Sequence, residues 1–179
     1  GVRDRGQHLR LAYFRPPTSL NPETESLYQQ NRLTVMRQVH YDLDNEKSID
    51  MLLSVNGLPI ATVELKNAMT GQRSLNAILQ YIKDRQPTSK TKLLEFKKRA
   101  LVHFAVDTDE AYMATRLAGK GTYFLPFNTG DHGGKGNPTD HAYATGYKTG
   151  YLWEQVWPKD SWLDIIHRFI HLQVEERKD

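Results

Sequence analysis

The chain has 179 residues, 39% of them hydrophobic and 25% charged, the proportions of an ordinary globular domain long enough to bury a sizeable core. It contains no cysteine, which excludes disulfides and thiolate metal centres and fits a reducing, cytoplasmic setting; no apolar run is long enough to span a bilayer, so no membrane association is expected. The formal net charge is +3, but Lys83 to Arg99 carries seven basic residues against two acidic ones, an excess that suits phosphate groups as well as it suits a solvated surface.

Residues up to Leu20, with Pro16-Pro17 among them, read as an extended arm with a short strand over Leu9 to Phe14. Asn21-Pro22-Glu23 is a helix start, with an N-cap, a proline at the first helical position and acid at the positive end of the dipole; this helix should run to about Arg32. Period-two alternation from Leu33 to Leu43 predicts a strand, and Asp44 to Lys47 turns it into a hairpin over Ser48 to Asn67. Thr70-Gly71-Gln72 then leads to Ser74 as an N-cap, and a helix is expected to end near Arg85. Its apolar face is Leu75, Ile78, Leu79 and Ile82, which leaves Gln80 and Tyr81 facing something polar. Lys92 to Lys98 suits a short basic helix, and Arg99 to Asp107 a strand buried on both faces. A hairpin follows over Ala111 to Leu117 and Gly121 to Phe127. Asn128 to Gly150 is rich in glycine and polar residues without a hydrophobic period, so a long mobile loop is expected there. A last helix starts at Asp160 or Ser161, with Trp162, Ile165, Ile166, Phe169 and Ile170 inward. The elements predict one α/β domain over 1–179: a mixed central sheet flanked by helices, with an added hairpin and a C-terminal helix.

Within the hairpin, Asn56-Gly57 is a strong turn signal. Ala61, Val63 and Leu65 alternate with Thr62, Glu64 and Lys66, which makes Glu64 and Lys66 neighbours on the polar face. Ile49, Met51, Leu53 and Val55 form the apolar face of the preceding strand and leave Asp50 on its polar side. A two-residue turn with no irregularity would pair Asp50 with Val63 and put it on the wrong face for Glu64. One extra residue reverses the parity. A three-residue loop or a bulge is therefore expected between Asn56 and Glu64, with Pro59 a natural place because it donates no ladder hydrogen bond.

Brought together, the Asp50 and Glu64 carboxylates and the Leu65 carbonyl are oxygen ligands for Mg²⁺, a hard cation that takes one or two carboxylates and keeps several waters. Lys66 beside them can orient or help deprotonate an attacking water, or stabilise developing negative charge. Glu-x-Lys on a strand also describes a solvated ion-pair surface, and the residues alone leave both readings open. His167 and His171 lie one helical turn apart, and His132 and His141 sit in the long loop; without a third ligand they do not make a zinc site.

Asp50 followed by Glu64-Leu65-Lys66 resembles the Asp…(Asp/Glu)-x-Lys signature of the restriction-endonuclease-like nucleases. Further stretches, among them Phe14-Arg15-Pro16-Pro17, Val55-Asn56-Gly57-Leu58-Pro59, Thr70-Gly71-Gln72, Gln80-Tyr81 with Asp84-Arg85, Leu101 to Asp107, Thr115 to Gly119, Phe124 to Asn128 and Tyr151-Leu152-Trp153-Glu154, occur in the order found in one branch. The chain resembles the N-terminal endonuclease domain of the R (restriction) subunit of type I restriction-modification enzymes.

That resemblance implies a restriction-endonuclease-like core that cleaves double-stranded DNA in the cytoplasm. Asp50 and Glu64, with the Leu65 carbonyl, would be metal ligands for Mg²⁺, and Lys66 the catalytic lysine. Gln80 would match a glutamine on the following helix, with Tyr81 next to it and Asp84 standing where the family has tyrosine. Independently of the resemblance, Lys83, Arg85, Lys90 and Lys92 of the basic run are expected to face DNA. The resemblance further implies methyltransferase and specificity subunits as partners and an ATP-driven motor in the same full-length polypeptide. This chain, starting at Gly1, would then be an N-terminal fragment. No Gly-x-x-x-x-Gly-Lys-Ser/Thr loop is present, so ATP is not expected to bind here. Two alternatives stand beside this reading: a catalytically silent DNA-binding or docking module with the same fold, and the nuclease domain of a DNA repair enzyme.

Overall fold

The computed structural model describes residues 2–18 and 20–172, so Gly1 lies outside them. The chain divides into two compact units, one made of Gly1–Asn31 with Leu152–Asp179 and the other of Arg32–Tyr151, where the hydropathy pattern predicts a single domain.

In the first unit, β1 (Val2–Asp4) and β2 (Gln7–Leu9) pair antiparallel. The chain reverses at Arg5 and Gly6, which both have positive φ. Extended structure thus falls earlier than the expected Leu9 to Phe14. Helix α1 (Pro22–Gln29) begins as the sequence predicts, with Asn21 Oδ1 accepting from the Glu23 and Thr24 nitrogens at 3.0 and 3.2 Å. A π-helical turn at Leu152–Val156 precedes α3 (Lys159–Arg168). Helix α3 buries Trp162 and Leu163, whereas Phe169, expected on its inner face, lies past the helix end and is 72% exposed. Tyr28 Oη donates to Asp160 at 2.5 Å, and the Phe14 ring stacks on His167 with centroids 4.2 Å apart.

The second unit holds a six-stranded mixed sheet: β3 (Leu33–His40), β4 (Ser48–Val55), β5 (Leu58–Leu65), β6 (Val102–Val106), β7 (Ala111–Ala114) and β8 (Leu125–Pro126), in that spatial order. Only β5 and β6 run parallel, and the connection between them carries α2 (Ser74–Asp84), as a parallel pair requires a crossover. All five residues of β6 are buried, matching its nearly continuous apolar sequence. The core gathers Ile49, Ala77, Tyr81, Leu94, Ala105 and Leu117.

Three expectations are corrected in this unit. Helix α2 buries Ser74, Ala77 and Tyr81, while Leu75 and Leu79 are exposed: small residues and one aromatic allow the closer approach to the sheet. Its N-cap is Arg73 rather than Ser74, because the Ser74 nitrogen is taken by Asp107 Oδ2 at 2.7 Å. Lys92 to Lys98 forms successive turns instead of a helix, with Leu94 fully buried among them. The 128–150 segment has no helix and no ladder beyond an isolated Asp131–Gly134 bridge. It is tied down at buried Asn137, whose amide donates to the Asp109 carbonyl at 2.8 Å and to Asn128 Oδ1 at 2.9 Å.

Candidate metal centre

The β4–β5 hairpin sets the geometry. Asn56 and Gly57 have φ of 51° and 81°, the double positive signature of the tight turn whose twist matches that of the strands. Val55 pairs with Leu58 and Ser54 with Pro59, but Leu53 pairs with Ala61, and the register then continues to Met51 opposite Val63. Ile60 is the extra residue of a bulge immediately after Pro59, and its carbonyl turns away to accept from the Leu101 nitrogen at 2.8 Å. Without it Asp50 would face Val63. With it, Asp50 and Glu64 are the residues that follow the last pair on their two strands.

Both carboxylates are held. Asp50 Oδ2 accepts from the Leu65 main-chain nitrogen at 2.8 Å, and Oδ1 from Gln38 Nε2 at 3.2 Å. Gln38 sits across β3 from Asp50, where the ladder skips from Arg37–Met51 to Val39–Ile49, and its φ is +50°. Such strained non-glycine backbone persists where the surroundings over-determine it. Glu64 is wholly buried. Its Oε1 accepts from Arg85 Nε at 2.7 Å, while Oε2 is buried without a hydrogen-bond partner among the described residues. Burial pushes the Glu64 carboxyl up to about 7; the Arg85 guanidinium pulls it back down, and the charge of the neighbouring Asp50 carboxylate adds to the rise.

Lys66 follows directly on β5, half-buried, with its main-chain nitrogen bonded to the Val106 carbonyl at 2.8 Å. Asp50, Glu64 and Leu65 therefore meet at one end of the β4–β5 pair, with Lys66 the next residue along the chain. Gln80 on α2 is half-buried. Tyr81 is expected to face something polar; the structure places it inside the core. It is fully buried, and its hydroxyl lies 2.9 Å from Thr62 Oγ1, which is itself 2.7 Å from His103 Nδ1. Burial lowers the His103 imidazole to about 3, so this hydrogen-bonded chain beneath Glu64 is neutral at physiological pH.

The expected DNA-facing set is split by the structure. Lys83, Lys90 and Lys92 are exposed, with Lys90 paired to Asp44. Arg85 is instead buried and committed to Glu64 and to the Ser48 carbonyl, the latter at 2.8 Å. It is the C-cap of α2, and its guanidinium reaches Glu64 on β5 and Ser48 on β4. Sequence reasoning missed this partner because Arg85 lies inside a basic run that looks like surface. Gln38 was missed too, since nothing in its local sequence marks the left-handed backbone.

Among the described residues no group of three or more His, Cys, Asp or Glu is assembled for a metal, so the arrangement is a two-carboxylate one. An unpartnered buried carboxylate oxygen costs free energy unless something pairs with it. Glu64 Oε2 beside Asp50 thus fits a hard divalent cation.

No curated protein matches the chain. The family model described as the type I restriction enzyme R protein N terminus matches residues 20–122, a span that covers more than half of the sequence and contains Gln38, Asp50, Glu64, Lys66, Gln80 and Arg85. The chain belongs to the family of type I restriction enzyme R protein N termini.

Proposed function

We propose that this domain cuts double-stranded DNA by hydrolysing phosphodiester bonds, with Mg²⁺ held by Asp50, Glu64 and the Leu65 carbonyl and with Lys66 assisting the attacking water. The observation that carries this reading is the half-satisfied Glu64: one oxygen fixed by Arg85, the other buried, unpartnered and adjacent to Asp50. A divalent cation there would neutralise phosphate charge and lower the pKa of a bound water. Asp50 and Glu64 orient the ligand oxygens, and the Lys66 ammonium stabilises charge that grows on the phosphate or helps take the water's proton. The exposed Lys83, Lys90 and Lys92 supply a basic surface for the duplex backbone. Its partners would be DNA and the other type I subunits, methyltransferase and specificity, a reading that family membership supports. An ATP-driven motor elsewhere in the full-length polypeptide would deliver the duplex to this site.

One observation favours a silent docking module instead: Glu64 already has a cationic partner in Arg85, as a site retired from metal binding would. Cleavage by the assembled enzyme separates the two. Glu64→Ala or Lys66→Ala should abolish cutting while leaving ATP hydrolysis intact, and full cleavage by either variant would refute the assignment.

A further inference from the structure

Arg85 is held at every arm. Its Nε donates to Glu64 Oε1 at 2.7 Å, Nη2 donates to the Ser48 carbonyl at 2.8 Å, and Nη1 lies 3.4 Å from Tyr41 Oη. The guanidinium also stands 5.5 Å from the centroid of the Tyr41 ring, and the Arg85 side chain is 7% exposed. Three stretches of chain therefore fix one planar group: the segment after β3, the start of β4 and the end of β5. A guanidinium supplies several donors in a rigid fork, which a lysine ammonium cannot reproduce. So enclosed, Arg85 does not reach a duplex, and its action passes through Glu64.

Carboxylate oxygens at the site are unequally committed. Glu64 Oε1 carries the guanidinium, Asp50 Oδ2 carries the Leu65 N–H, and Asp50 Oδ1 carries the Gln38 amide. Of these carboxylate oxygens, Glu64 Oε2 is the one buried without a hydrogen-bond partner among the described residues. A second divalent ion bridged through Glu64 would need Oε1, where a full positive charge already sits at hydrogen-bond distance; two cations on one oxygen repel.

We propose that Arg85 is a positioning residue that takes the place of a second cation: it locks Oε1, presents Oε2, and limits the Asp50–Glu64 site to a single divalent ion. This rests on the reading of the site as a metal-dependent nuclease centre. It goes beyond that reading by fixing the stoichiometry and by naming a residue outside the Asp…Glu-x-Lys set.

The test titrates Mn²⁺ into the full-length, nucleotide-free R subunit, with ions at this site taken as those lost in Asp50→Asn. Wild type should lose one ion, with the uncoupled six-line electron paramagnetic resonance spectrum of isolated Mn²⁺. Arg85→Lys should bind that ion at least tenfold more weakly; a merely structural Arg85 would lower the melting temperature and leave the Mn²⁺ affinity alone. Two ions per chain with a spin-coupled spectrum, or wild-type affinity in Arg85→Lys, would overturn the proposal. The wild-type ion count decides it even where Arg85→Lys fails to fold. Equal Mn²⁺ binding by wild type and Asp50→Asn would overturn the nuclease-centre reading itself, and this proposal with it.

Discussion

The Leu65 main-chain nitrogen donates to Asp50 Oδ2 at 2.8 Å, so a candidate metal ligand on β4 is fastened to the backbone one residue past Glu64 on β5. This contact exists because Ile60 bulges out of the hairpin. Deleting Ile60 restores an unbroken two-residue hairpin and turns Asp50 and Glu64 to opposite faces. The deletion should reduce DNA cleavage by the assembled enzyme at least 100-fold. Inserting one glycine after Gly57 to make a three-residue loop should return part of the activity, because it restores the parity by another route. Cleavage assays on the deletion and the double variant check both outcomes.

Glu64 gives the metal-free protein a pH dependence of definite sign. Burial raises its carboxyl from the ordinary 4.5 to about 7, so the native chain binds this proton more tightly than the unfolded chain does. Stability therefore falls as pH rises from about 4.5 to 7, by up to about 3 kcal/mol at 1.36 kcal/mol per pKa unit. Glu64→Gln should remove that slope in urea unfolding series without metal. Divalent cation should oppose the loss at neutral pH, since it binds the ionised form.

His103 acts in the opposite direction. Burial lowers it from 6.5 to about 3, so the unfolded chain takes up a proton that the native chain refuses. Its contribution is present above pH 6.5 and is lost as pH falls toward 3. His103→Gln, which retains an amide for Thr62 Oγ1, should flatten the acid limb of the stability curve and leave the limb governed by Glu64 in place. Between about 4.5 and 6.5 the two wild-type slopes oppose each other, so the single variants should show steeper, opposite trends than the parent.

Gln38 combines a strained backbone with a contact to Asp50. Glycine accepts a φ of +50° without penalty, so Gln38→Gly relieves strain while removing the hydrogen bonds to Asp50 Oδ1 and Ser48 Oγ. Unfolding stability should change by no more than about 1 kcal/mol in either direction. Cleavage should fall about tenfold because a proposed metal ligand loses its orienting partner. Thermal melts together with cleavage rates separate these effects.

Strand alternation made the hairpin legible, and parity arithmetic on Asp50 and Glu64 demanded an irregularity that the structure places at Ile60, beside Pro59. The strand over Val102 to Val106 and the N-cap at Asn21 were equally plain, because each rests on local pattern or local hydrogen bonding. Helix α2 misled because hydrophobicity ranks Leu75 and Leu79 above Ala77 and Ser74, whereas packing against a sheet rewards small residues that let backbones approach. Arg85 looks like surface in the sequence because its partner is 21 residues away on another element. Long-range pairing of that kind leaves no period in the sequence. Asp107 belongs to the same class: it looks like the end of a strand, yet it holds the Ser74, Asp109 and Glu110 nitrogens at 2.7 Å each.

Under the proposed function, Asp50 and Glu64 hold one divalent cation beside Lys66. Anomalous diffraction at the manganese edge, from crystals of the R subunit soaked in Mn²⁺, locates that ion directly. A single peak is expected between the Asp50 carboxylate and Glu64 Oε2, with the Arg85 guanidinium still on Oε1. A peak elsewhere, or none between these carboxylates with the metal ordered at other sites, would contradict it.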